Sequence, residues 1–178
     1  FVSFNKKVQV KEIKLNLANI ATLDTEAIVN AANEQLLPGS GVCGAIHKAA
    51  GRELDLECRQ IGFCETGESV ITNGYQLKAK RVIHTVGPVF WKDEVNAPNL
   101  LRRCYLNSLK LADANGLKSI AFPAISTGVY GYPIQEATKI AVESVKSFRP
   151  SNSLKEVVFC CFSESDYLVY KTILARAD

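Results

Sequence analysis

The chain has 178 residues, 47% of them hydrophobic and 22% charged, a composition that suits one domain with a full core and excludes disorder, collagen-like repeats and acidic tails. Its 21 basic and 18 acidic side chains leave a net charge of +3, too mild an excess for a dedicated nucleic-acid domain and equally suited to a small anionic ligand. No stretch approaches the roughly 20 apolar residues of a membrane span, and the alternation of apolar and charged residues over 1–14 is unlike a signal peptide. The expectation is therefore an intracellular, cytoplasmic protein. Its six cysteines (Cys43, Cys58, Cys64, Cys104, Cys160, Cys161) form no CxxC pair, so reduced thiols are expected rather than a disulfide framework or structural zinc. A chain without Met that starts on Phe1 reads as a piece of something longer.

In chain order, residues 8–15 alternate and residues 26–31 form a short apolar run, both strand-like. Helical signals follow over 42–50 and, after Gly51, over 53–60. Short strands at 68–72 and 81–86 flank the turn residues Asn73-Gly74, and a polar loop spans 87–98. Leu101, Cys104, Tyr105, Leu109 and Ala112 recur at helical spacing, with Gly116 as a stop. A strand over 119–123 precedes a helix carrying Ile134, Ala137, Ile140, Ala141, Val145 and Phe148; a continuous apolar strand, 156–162, and a helix, 165–176, complete the order. Alternating helices and two-sided apolar strands predict an α/β three-layer sandwich around a mostly parallel sheet, with the amphipathic first strand at an edge. Ligands of such sheets sit at the carboxyl ends of the strands. No internal repeat or linker interrupts the chain, so residues 1–178 are expected to form a single domain.

Two glycine-containing loops follow strands and enter helices. In the first, Gly39, Gly41 and Gly44 spell GxGxxG, letting backbone approach a ligand while free helix-start amides face an anion. A dinucleotide-binding turn would place its first glycine almost directly after the strand, whereas about seven residues intervene here, and no acidic residue ends the next strand. In the second, Ser126, Thr127 and the amides around Gly128 suit phosphate oxygens, and Tyr130 offers an aromatic face for a sugar. A plain two-glycine turn is the alternative. Two such loops at neighbouring strand ends could grip a diphosphate from both sides.

Four motifs now stand in order: Ala27-Ile28-Val29-Asn30-Ala31-Ala32-Asn33, Gly44-Ala45-Ile46-His47-Lys48-Ala49-Ala50-Gly51, Val82-Ile83-His84-Thr85-Val86-Gly87-Pro88 and Ile125-Ser126-Thr127-Gly128-Val129-Tyr130-Gly131-Tyr132-Pro133. Together they resemble a macrodomain of the MacroD type, over about residues 8–175. The resemblance implies a mixed six-stranded sheet between helices, an ADP-ribose cleft across its top, and removal of ADP-ribose from acidic side chains or from O-acetyl-ADP-ribose. It implies that Asn33 holds the distal ribose, with Asn30 supporting the loop from behind. It further implies that Gly39, Gly41 and Val42 form the first diphosphate loop and Ser126, Thr127, Gly128, Val129 and Tyr130 the second, with Tyr130 over the distal ribose. Ile20 and its neighbour Asn19 fall at the adenine end, and Phe162 is similar to the aromatic residue that packs on adenine; ordinary core packing is its other reading.

Two positions depart from the family's pattern. Asn19 stands where many members carry an Asp that accepts from the adenine amino group, which removes charge assistance from that bond, about 1 kcal/mol. Cys43 stands where MacroD-type hydrolases place an Asp that helps position the attacking water. A thiol at a helix start can be acidified, but a nucleophile wants a base, and sequence places neither His47 nor His84 beside it; a small neutral filler is the plainer reading. Without that Asp, an oxygen of the ligand's proximal phosphate could polarise the water while Asn33 and Tyr130 orient the ribose. The catalytic positions are then Asn33, Tyr130 and Cys43, with no metal and no cofactor; His47 and His84 lack metal-ligand spacing and read as structural.

Three functions compete: hydrolysis of mono-ADP-ribose from Asp or Glu side chains together with O-acetyl-ADP-ribose deacetylation, recognition of free or protein-linked ADP-ribose without turnover, and a nucleic-acid or poly(ADP-ribose) surface using Lys6, Lys7, Lys11, Lys14, Lys78, Lys80 and Arg81. The first is expected, with ADP-ribose and mono-ADP-ribosylated proteins as partners, no membrane, no nucleic acid, and a monomer as the acting form.

Overall fold

The strands are β1 (Glu12–Leu17), β2 (Ala27–Ala31), β3 (Ser69–Asn73), β4 (Arg81–Thr85), β5 (Ser119–Phe122) and β6 (Glu156–Cys161). They come from a computed structural model that describes residues 8–176. They form one sheet in the order β1-β6-β5-β2-β4-β3. Every pairing is parallel except β3 on β4. The mixed, mostly parallel six-stranded sheet is therefore present.

The helices are α1 (Gly41–Ala50), α2 (Arg52–Ile61), α3 (Ala97–Ala114), α4 (Ile134–Ser147) and α5 (Glu164–Arg176). Successive residues of each inner strand point to opposite faces. Ala27 and Val29 accordingly enter a core with α3 and α4 residues such as Leu101, Tyr105, Ala141 and Val145. Ile28, between them, packs on the other face with Ile46 and Ala50 of α1 and Leu54 and Cys58 of α2. Burial on both faces is why these strands read as unbroken apolar runs. Tight stops separate the helices: Gly51 (φ +91°) donates its N–H to His47 O and Gly62 (φ +83°) to Cys58 O, a left-handed geometry that suits glycine.

The edge strand β1 starts four residues later than its alternation suggests. Its register is set by β6, running from Glu12 opposite Glu156 to Leu17 opposite Cys161. The last strand in turn stops at Cys161, because Phe162 lies beyond the ladder and is 81% exposed. The core-packing reading of Phe162 is corrected by that exposure. At the opposite end of the sheet, the Asp113 carboxylate accepts the amides of Ser151 (2.8 Å), Ser153 (2.8 Å) and Leu154 (2.9 Å), tying the end of α3 to the entry of β6. Burial raises its pKa, but the amides of Leu154, Ser151, Ser153 and Asn152 outweigh that effect and hold it below the usual range.

Among the described residues no helix is long and apolar enough to cross a membrane, and no group of His, Cys, Asp and Glu could hold a metal ion. All six cysteines are free and buried. Of the basic cluster, Lys6 and Lys7 lie outside the described residues. Lys14 pairs with Glu12 and Glu156, Lys80 pairs with Glu26, and Arg81 donates to Thr72 O.

Candidate functional site

Because β1, β2, β5 and β6 run parallel, the segments that leave their carboxyl ends meet over one edge of the sheet. Two contiguous cavities of about 450 and 480 Å3 open there and share Gly41, Val42, Ala124 and Gly128, so they are two halves of one cleft. One half is walled by Asn19, Ile20, Cys160 and Phe162. The other is walled by Asn33, Gly39, Cys43, Ser126, Val129 and Tyr130. Thr127 lines the first half together with the shared residues. The expected binding and catalytic positions, Asn19, Ile20, Asn33, Gly39, Gly41, Val42, Cys43, 126–130 and Phe162, thus line one depression, whereas Asn30, Gly44, His47 and His84 do not.

The first loop, between β2 and α1, is fastened by side chains. Asn33 Oδ1 accepts Leu37 N at 3.0 Å while Asn33 Nδ2 donates to Leu37 O at 2.9 Å. Asn33 therefore shapes the loop as well as facing the cleft. The Cys43 thiol donates to the same Leu37 O at 3.6 Å. Gly44 is required by space, since a Cβ there would lie 2.4 Å from Gly39 O. Gly41 begins α1 at φ +59°, and the first helical turn, whose amides lack intrahelical partners, lines the cleft.

Behind this loop lies a polar chain that sequence reasoning did not assemble. Asn30 is buried; its Nδ2 lies 3.7 Å from Cys43 Sγ and 3.1 Å from His84 Nδ1. With Nδ1 accepting, Nε2 of His84 carries the hydrogen toward Thr72 Oγ1 at 2.9 Å. Burial, then the neighbouring His47, pushes the His84 pKa down to about 3. Burial raises the Cys43 pKa against the lowering pull of Asn30 and the Gly39 backbone. The prospect of an acidified thiol at the helix start is corrected accordingly: Cys43 is a neutral group in the floor of the cleft, with an amide rather than a base beside it.

The second loop, between β5 and α4, is fastened by backbone. Ser126 adopts φ +66°, Tyr132 N donates to Ser126 O at 2.9 Å, and Gly131 N donates to Gly128 O at 3.0 Å. The hydroxyls are turned away from a ligand: Thr127 Oγ1 donates to Ala124 O at 3.0 Å, and Ser126 Oγ is buried against Gly87, where a Cβ would come within 2.2 Å of it. Among the described residues no partner takes the amides of Thr127, Gly128, Val129 or Tyr130. Of the groups expected from sequence, the loop thus offers an anion the row of N–H groups around Gly128, a backbone nest, more than the two hydroxyls. Phe90 N donates to Tyr130 O at 2.9 Å, tying the loop to the segment after β4.

At the far end, Asn19 Oδ1 accepts Ala21 N at 3.0 Å and so caps the short turn Ile20–Thr22. Asp166, in the first turn of α5, also borders this half of the cleft; nothing in the sequence singled it out.

Known proteins with this arrangement can now be named. The family model described as Macro domain matches residues 29–141. This chain belongs to the Macro domain family. It is 52% identical over 163 residues to an O-acetyl-ADP-ribose deacetylase of Escherichia fergusonii, covering 89% of this chain and 92% of that protein. It is 46% identical over 174 residues to ADP-ribose glycohydrolase MACROD2 of Xenopus laevis, covering 93% of this macrodomain but 42% of that protein. A mutant Oceanobacillus iheyensis macrodomain with ADPR superposes with a TM-score of 0.89 at 42% identity, covering 93% and 92% of the two chains. The macrodomain fold expected from the resemblance is thereby established.

Proposed function

We propose that this macrodomain binds ADP-ribose and hydrolyses the ester that joins it to acidic side chains of proteins, and that it acts on O-acetyl-ADP-ribose as a deacetylase. The observation that carries the reading is the pair of amide rows, the first turn of α1 and residues 127–130, that both line a cleft whose two halves measure about 450 and 480 Å3. A diphosphate between them accepts hydrogen bonds from both loops without charged side chains. Its adenosine extends toward Ile20 and Phe162, and its distal ribose toward Asn33 and Tyr130.

In the ribose half, no carboxylate or imidazole lines the wall among the described residues. The clamped diphosphate is then the strongest base at hand. One oxygen of its proximal phosphate takes a proton from a water whose oxygen attacks the anomeric carbon; the bond to the acyl oxygen breaks and the carboxylate leaves with the electron pair. Asn33 and Tyr130 fix the ribose, and Cys43 keeps the floor small and neutral. The names of the deacetylase and glycohydrolase relatives support hydrolysis of ADP-ribose derivatives.

The test is incubation with a protein mono-ADP-ribosylated on acidic side chains, with mass spectrometry of protein and supernatant. Release of free ADP-ribose is expected, and Cys43→Asp retains or raises the rate. Absence of release, with ADP-ribose still bound in calorimetry, would make the domain a reader of the modification instead.

A further inference from the structure

An acceptor for the adenine amino group is expected at position 19, but Asn19 has one side-chain oxygen and it caps Ala21 N at 3.0 Å. That oxygen keeps one lone pair for a base, but it is uncharged and already shared with the backbone. The same half of the cleft contains one carboxylate. Asp166 is half-buried, borders the cavity with Asn19, Cys160 and Phe162, and sits four residues beyond Phe162. Its own amide donates to Ser163 Oγ at 3.2 Å, which makes Ser163 the cap of α5 and Asp166 the third helical residue. A carboxylate at that position commonly reaches back to the cap's amide; here no hydrogen bond or ion pair occupies it among the described residues.

We infer that Asp166 is the base-selecting residue of this cleft, its carboxylate accepting a hydrogen bond from an exocyclic amino group of the nucleobase and supplying the charge that the side chain at position 19 lacks. The inference rests on the proposed ADP-ribose binding and adds to it a choice among bases. A carboxylate only accepts, so it favours a 6-amino purine over a 6-oxo purine, whose carbonyl it repels. It also sorts the two ends of the ligand. The amide rows attract the diphosphate, and the negative charge on α5 disfavours a reversed pose that would bring phosphate to this end.

Calorimetry with two ligands tests this, ADP-ribose and its hypoxanthine counterpart, inosine diphosphate ribose, each titrated into the native protein, Asp166→Asn and Asp166→Ala. The native protein is expected to bind ADP-ribose about tenfold more tightly than the hypoxanthine ligand, as a charge-assisted hydrogen bond warrants. Asp166→Ala should remove most of that preference through weaker ADP-ribose binding. Asp166→Asn, which keeps the shape and can donate to a carbonyl, should bring the two affinities within about threefold, with a thermal melt unchanged from native. Equal affinities in the native protein, or a loss in Asp166→Ala that falls equally on both ligands, would overturn the base-selecting role while leaving ADP-ribose binding intact. Binding of neither ligand by the native protein would instead refute the proposed function itself and the inference with it.

Discussion

The two loops that face each other across the cleft present similar rows of amides but are held by different means. The first is fastened from within by side chains of its own segment, Asn33 on Leu37 and Cys43 on the same carbonyl, with Asn30 of the preceding strand behind it. The second is fastened by its backbone and from outside, by Gly87 at the end of β4 and by Phe90 N on Tyr130 O. The difference teaches that the second loop depends on residues remote in sequence for its position, whereas the first carries most of its side-chain fastening between 30 and 44 and takes from outside the bond of Cys64 N to Glu34 O and the support of His84 behind Asn30.

The largest effect should come from Gly44→Ala. Its Cβ would stand 2.4 Å from Gly39 O, a backbone atom that cannot rotate away, so the first loop must leave its place. Complete loss of ADP-ribose binding by calorimetry is expected, with destabilisation of about 1–3 kcal/mol in urea. Gly87→Ala strikes the second loop from a distance, through Ser126 Oγ at 2.2 Å and Ile125 Cγ2 at 2.7 Å. Side chains can yield where backbone cannot, so binding should weaken rather than vanish. Adding Ser126→Gly, which removes the hydroxyl and accepts φ +66°, should restore part of the loss; no restoration would show that Ser126 is not the point of contact.

Asn33→Ala removes both bonds to Leu37 together with the proposed ribose contact. Turnover of a modified protein should fall more than tenfold and ADP-ribose affinity less, and an equal loss in both would mean that Asn33 acts only as a loop staple. The smallest effect is that of acid. The folded pKa of His84, about 3, lies below its ordinary 6.5, so as pH falls below 6.5 the unfolded chain takes up a proton that the folded one refuses. Stability present at pH 7 is thereby lost on the way down, by about 2 kcal/mol at pH 5 from this group. Urea midpoints at pH 7 and 5 should show it, and His84→Gln should flatten the difference.

Much of the architecture was legible because two-sided burial writes itself as unbroken apolar runs, as in Ile28-Val29 and Val157-Val158-Phe159. The strand ends were less so, since the start of β1 depends on a partner 144 positions away at Glu156. Glycine spacing and the four motifs pointed to both loops, yet Ser126 and Thr127 drew attention through hydroxyls that the fold turns inward. Gly87, Asn30 and Asp166 act through space. Nothing local in Val86-Gly87-Pro88 announces a serine hydroxyl from another loop, and Asp166 looks like any acidic residue in a first helical turn.

The pairing of β1 with β6 has a consequence for how the molecule is made. The strand nearest the amino end cannot dock until residues 156–161 exist, so during synthesis its edge waits while nearly the whole sheet is assembled beside it. The wall at Asn19 and Ile20, which follows β1, therefore takes its place only with the late-made wall at Cys160, Phe162 and Asp166. A nascent chain stalled before β6 would carry both amide rows and no floor for the base. Ligand rescue of such fragments should thus respond to pyrophosphate-bearing compounds before it responds to adenine.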